Sequence, residues 1–243
     1  MHTITDAERI AELAETVERL SHRLGTLEDV AAIRNLQHAY GYYLDKCLYD
    51  EVVDLFAETG EARFMGGVFR GREGVRRLYC DRFRTRFTGG YNGPMRGFLL
   101  DHPMMQDVIH VAPDRSSARA RYRCMMQAGR HQSVPQAADD PLGSPKQWWE
   151  GGVYENEYVR EDGVWKFKVL DYRAIWHGTF DEGWSRMRPN VIPFSETLHP
   201  EDPLGPDALT DDPPHLWPDT DVVPFHYTHP VTGQAWTPAP PLV

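Results

Sequence analysis

The chain has 243 residues, 41% hydrophobic and 12% aromatic, with seven Trp and eleven Tyr, which is enough apolar side chain for a real core and excludes disorder throughout. A net charge of −10 opposes nucleic acid, whose phosphates are met by Lys and Arg. The opening MHTITDAERIAELAE has no basic-then-apolar leader and no run is long enough to cross a bilayer, so a soluble, cytoplasmic protein without a membrane partner is expected.

In chain order, residues 5–24 open with a capping box, Thr5 to Glu8, and place Ile10, Leu13, Val17, Leu20 and Leu24 at alternating spacings of three and four, which predicts an amphipathic helix with a narrow seam. The seam fits either a helix lying on its own domain or a contact with a neighbouring subunit, and Gly25 is expected to stop it. A second helix, with Ile33, Leu36, Tyr40 and Tyr43 on one face, is predicted from Leu27 to Asp45. A third covers Tyr49–Phe56, an extended piece Ala62–Phe69, and a Gly71–Gly74 turn opens a helix over Val75–Phe83. The Gly pair lacks the Gly-Lys-Ser/Thr ending of a phosphate loop.

Beyond residue 97 the pattern becomes extended, with runs at 98–111, 117–128, 148–160 and 164–176 separated by turn-rich breaks such as APDRSS and REDG. Helices followed by an antiparallel meander spell α+β. The segment 130–147 is long enough for a lid or a subunit contact. From residue 186 on, the chain carries 13 of its 19 prolines, which argues against regular structure. The tail also holds Trp217, Phe225, Tyr227 and Trp236, so it is expected to wrap over its own domain or a neighbour. This divides the chain into an N-terminal helix (1–26), a catalytic domain (27–185) and an extended tail (186–243).

Cys47, Cys80 and Cys124 are odd in number, widely spaced and never C-x-x-C, and read as reduced, buried thiols. His226 and His229 sit in proline-flanked coil without nearby Cys or carboxylate clusters, so no metal is expected. Met104, Met105, Met125 and Met126 serve as core filler or as adaptable walls for an aromatic ligand.

The Tyr-rich helix ending in Asp45, then GVFRGREGV, LLDHPMMQDV and YENEYVREDGVWKF, together resemble the SnoaL-like branch of the nuclear transport factor 2-like superfamily over residues 27–180. The resemblance implies a curved antiparallel sheet folded around helices into a cone, with a pocket at the wide end and chemistry done without a cofactor. It also implies a homo-oligomer, commonly a trimer, and a catalytic pair at Asp45 and His102. Within the branch, the whole chain is similar to diarylpropane lyases that release formaldehyde from lignin-derived dimers. Scytalone dehydratase has a Tyr where Leu44 stands and Ser and Asn where Gly152 and Tyr154 stand, which speaks against a scytalone-like substrate.

Read as chemistry, a carboxylate at Asp45 turned inward needs a donor, and an imidazole it holds becomes oriented and more basic. The plain alternative is that Asp45 caps a helix and His102 ends a strand. Tyr154 and Asn156 alternate with Glu155 and Glu157, which puts the phenol and amide inside to bind a substrate oxygen, or to pack across strands, and the glutamates in solvent. Tyr43 is a second hydrogen-bond donor. Arg119, Arg121 and Arg123 share an outer face, which turns Tyr122 inward. Tyr122, Trp149 and Trp176 are candidate ring contacts, and Arg173 holds a phenolate or carboxylate or pairs with a tail Asp. The expected function is a cofactor-independent lyase acting on a small aromatic substrate. A dehydratase or isomerase of a steroid-like or polyketide substrate, and a non-catalytic binding domain, stay open beside it.

Overall fold

The computed structural model describes residues 5–134, 147–186, 197–211, 216–219 and 221–238. Most of the candidate lid, at 135–146, lies outside the described residues. The chain opens with one 40-residue helix, α1 (Asp6–Asp45), and both bonds of the Thr5–Glu8 capping box form. Gly25 does not stop it. A Cβ there would lie 2.0 Å from an Arg115 guanidinium nitrogen, and Arg115 reaches past it to the buried Asp29 carboxylate at 2.5 Å. The glycine makes room for a side chain from the sheet, and its backbone stays helical.

A short α2 (Tyr49–Val53) ends before Phe56, which begins β1 (Phe56–Phe64). After a turn at Met65 and Gly66, β2 (Gly67–Arg70) pairs with β1. The expected Gly71–Gly74 turn is instead the first turn of α3 (Gly71–Arg76), which runs on as a π-helical stretch, Arg77–Phe83, and α4 (Arg84–Thr88).

The remaining strands fall where the alternating runs place them: β3 (Phe98–Asp101), β4 (Met104–Val111), β5 (Ser117–Arg130), β6 (Gln147–Glu161) and β7 (Val164–Thr179). The pairs Asp101–Gln127 and Met104–Cys124 keep one register. So β3 and β4 are one line interrupted at His102–Pro103, because proline has no N–H for the ladder. A helical turn, α5 (Gly183–Arg186), and a two-residue strand, β8 (Ala208–Leu209), follow. Among the described residues the sheet has eight strands ordered β3-β5-β6-β7-β1-β2-β8, with β4 also on β5. All pairings are antiparallel except β1 on β7. It is a mixed α+β, curved, cone-like architecture.

Alternation on β5 buries Ala118, Ala120, Tyr122, Cys124, Met126 and Ala128, and turns Arg119, Arg121 and Arg123 outward. The C-terminal half of α1 lays Ile33, Tyr40 and Leu44 against this inner face. A buried polar bridge fixes its register: Asn156 Nδ2 (2.8 Å) and the Tyr158 hydroxyl (2.9 Å) both donate to Gln37 Oε1.

The described tail lies over the chain's own domain and is not wholly irregular, since β8 adds a strand beside β2. Leu216 joins the core, and Trp217 N–H donates to Ile175 C=O, 2.8 Å, at a bulge of β7. Further on, Arg121 donates to the carbonyls of Val223 and Pro224 and lies over the Phe225 ring. Among the described residues no helix is long and apolar enough to cross a membrane.

Candidate active site

Asp45 is the last residue of α1, one turn after Gly41. A Cβ on Gly41 would touch Met104 at 3.4 Å, so the glycine lets the helix end settle on the β3–β4 break. There Asp45 Oδ1 meets His102 Nδ1 at 2.7 Å, with the imidazole 8% and the carboxylate 11% exposed. With Nδ1–H held by the carboxylate, the ring is fixed and Nε2 is left to exchange a proton.

The strand register extends this pair into a row across the sheet. Continuing β3 one step past Asp101–Gln127 brings His102 beside Met126, Met126 pairs with Glu150, and Glu150 pairs with His177. His102 and Glu150 are thus two strands apart, roughly 10 Å between backbones. Glu150 is buried and accepts a bond of 2.6 Å from the Tyr172 hydroxyl. Burial pushes its carboxyl group upward, toward the protonated form, while the Tyr172 bond and the charge of His102 act the other way. His177 has a buried Nδ1 without a hydrogen-bond partner, and burial lowers its basicity. Cys124 lies among the same carboxylates: burial first, then Glu150, Asp45 and Asp101, push its thiol up. It is a neutral wall, and all three cysteines are free and buried.

Two adjacent glycines shape this wall from opposite sides. A Cβ on Gly152 would lie 2.5 Å from the Tyr172 ring, and one on Gly151 would lie 2.0 Å from the Trp176 indole. Tyr172 therefore crosses β6 on the inner face to reach Glu150. Trp176 crosses on the outer face, against Trp184, and does not share the face of Asp45 and His102. A bulge opposite Gly151 and Gly152 resets which β7 residues face inward, so Tyr172 was not singled out; Glu150 keeps the parity of Tyr154 and Asn156 along β6, and its inward turn follows from the same alternation.

The other sequence candidates divide the same way. Tyr154 points inward, packed on Tyr40 and Tyr172. Asn156 also points inward, but its amide is committed: it donates to Gln37 and Tyr158 and accepts from Asp171 N–H, so it ties helix to sheet and has no group left for a ligand. Tyr122 is inward and fully buried, with a hydroxyl that has no hydrogen-bond partner. Tyr43 is two positions from Asp45, about 200° around the helix, and packs at the core margin away from the pair. Arg173 is on the outer face, donating to Asp171 at 3.3 Å. Glu155 is not in solvent as expected: it is covered by Arg121 at 2.5 Å and by His226. His226 also meets His110 at 3.1 Å, while His229 Nδ1 accepts from the backbone of its own turn. Among the described residues no group of three or more His, Cys, Asp and Glu is placed to hold a metal ion.

A cavity of about 450 Å³ opens beyond the row, at the strand ends, lined by Phe98, Leu99, Gln127, Trp148, Trp149 and Phe180 among others. Trp149 belongs to this cavity, stacked on Phe180. The lining omits Asp45 and His102, and Leu99, Gln127 and Trp149 alternate with the inward Leu100, Met126 and Glu150, so the cavity is built from both faces of the strand ends and does not enclose the pair. Leu100, Ala128 and Trp148 form the step between.

A model of a SnoaL-like domain matches residues 25–171. No curated protein matches the sequence. Among solved structures the fold is similar to LinA, at 18% identity and a TM-score of 0.51 over 65% of this chain and 93% of that one. It is likewise similar to a type 2 hexachlorocyclohexane dehydrochlorinase, at 18% and 0.51 over 70% and 99%. A third is the type 3 enzyme of Novosphingobium barchaimii LL02, at 19% and 0.50 over 65% and 93%. These structural likenesses concern the fold. The family match spans more than half of the chain and takes in Asp45, His102 and Glu150: the chain belongs to the SnoaL-like domain family, within the nuclear transport factor 2-like superfamily.

Proposed function

We propose that the chain is a cofactor-independent lyase that acts by acid–base catalysis on a hydroxylated aromatic small molecule. The observation that carries this reading is the Asp45–His102 bond, buried on the same inner face as a carboxyl group that burial favours in its protonated form. Two proton-handling groups of opposite readiness, one to accept and one to donate, are what an elimination needs. The aromatic cavity at the strand ends, with Trp148, Trp149, Phe98 and Phe180, suits a flat ring.

The finer reading is deformylation of a lignin-derived diarylpropane diol. Glu150 gives its proton to the benzylic hydroxyl, which leaves as water, while the para-phenol gives its proton to solvent and a quinone methide forms. His102 Nε2 then takes the proton of the terminal hydroxyl. The carbon–carbon bond breaks, formaldehyde leaves, and the electron pair closes the stilbene double bond as the ring regains its phenolate. Asp45 stabilises the imidazolium. Tyr172 positions Glu150, and the unpartnered His177 Nδ1 offers a polar contact to the substrate.

The test is product analysis with a phenolic diarylpropane diol. Equimolar formaldehyde and stilbene are expected. Loss of water alone would instead indicate a dehydratase or isomerase, and binding without turnover of this diol or of hydroxylated steroid and polyketide panels would remove the enzyme reading.

A further inference from the structure

Among the described residues, none covers the apolar seam of the first half of α1. From Asp6 to Leu27 the helix is about 33 Å long at 1.5 Å per residue, and Ile10, Leu13, Val17, Leu20, Leu24 and Leu27 are each more than half exposed. A helix of this length is marginal in water unless an apolar face is packed. The described domain residues touch its other side: His22 bonds the Pro113 carbonyl at 2.8 Å, and Arg115 crosses Gly25 to Asp29. The apolar seam therefore points away from its own fold, and it lies almost wholly before residue 25, where the SnoaL-like match begins.

We propose that Asp6–Leu27 pairs with the same segment of a second copy of this chain as a parallel, two-stranded coiled coil. Continuity of the helix through Gly25 completes three heptads, with Ile10, Val17 and Leu24 at the first core position and Leu13, Leu20 and Leu27 at the second. Two of the three residues at the first position, Ile10 and Val17, are β-branched and all three at the second are Leu, a pattern that favours two parallel strands over three or four. The flanking positions agree. In parallel register Arg9 faces Ala14, Thr16 faces Ser21, and Arg23 faces Glu28 of the second copy, so an ion pair closes the seam nearest the domain and no like charges meet. His22, Gly25 and Asp29 fall on the back of the heptad wheel, where the domain already sits, so pairing needs no rearrangement. The seam composition thus sets two chains where the family resemblance implies three.

Light scattering of the full chain tests this, with Leu13→Glu/Leu20→Glu as the breaking variant. The wild type is expected at twice the 27.9 kDa chain mass, and the variant at the single-chain mass with a weaker far-UV helix signal and an unchanged near-UV signal from the aromatic core. Val17→Cys is expected to form a disulfide-linked dimer under mild oxidation, whereas Glu15→Cys, on the back of the helix, stays unlinked; the native cysteines are buried. A single-chain or three-chain wild type, a mass that the double variant leaves unchanged, or equal cross-linking at positions 15 and 17 overturns the proposal.

Discussion

Glu150 makes the inner row depend on pH. Its carboxyl group stands above the ordinary Glu value in the folded chain because it is buried, so the folded state holds its proton more tightly than the unfolded one. The stability this contributes is full below about pH 4.3, the unfolded value, and is lost as pH rises through the folded value. Glu150→Gln removes that titration. Urea unfolding across pH is expected to show the wild type losing stability on the alkaline side relative to the variant; parallel curves would mean that Glu150 ionises as it would in water. The same residue marks what the sequence hides. Asp45 and His102 are legible because a tyrosine-bearing helix and a strand each end on them within a known family pattern. Glu150 shares the parity of Tyr154 and Asn156 on β6, but nothing local says that a bulge on β7 brings Tyr172 across the bare Gly152 to reach it.

At the scale of elements, α1 and the sheet are joined by side chains distant in sequence. Asn156 and Tyr158 both donate to Gln37, and all three are buried. Gln37→Ala leaves an amide and a phenol without their acceptor, at a cost of about 1–3 kcal/mol, measurable by chemical denaturation; a change below experimental error would show that the bridge does not fix the helix. The later strands and the inward face of β5 were readable from alternation, since Arg119, Arg121 and Arg123 could only face out, whereas the parallel pairing of β1 on β7 was not. The span of α1 was not. Gly25 reads as a stop unless one knows that Arg115, brought over by the β4–β5 hairpin, occupies the space its side chain would fill.

For the molecule as a whole, the tail works as a strap. Residues 223–227 are held on the outer face of β4, β5 and β6 by Arg121, Glu155 and His110, with Tyr227 stacked on His110. Burial first and the neighbouring His226 second lower the basicity of His110, so its contribution is present above about pH 6.5 and lost as pH falls through its folded value. The Phe225 and Tyr227 ring proton signals are expected to move toward free-chain positions below that pH, while β6 keeps its hydrogen-exchange protection; ring signals unchanged between pH 5 and 8 would rule out His110 as the fastening. Such a strap leaves the inner row untouched, so strap and chemistry are separable.

The most direct test of the central claim is steady-state turnover of the diarylpropane diol by His102→Ala and Asp45→Asn, each checked for an intact fold by near-UV circular dichroism. A positioned proton-transfer group contributes about 10²- to 10⁴-fold, so His102→Ala should lose rate in that range and Asp45→Asn should fall with it, chiefly in kcat. Wild-type turnover in both variants would contradict the account.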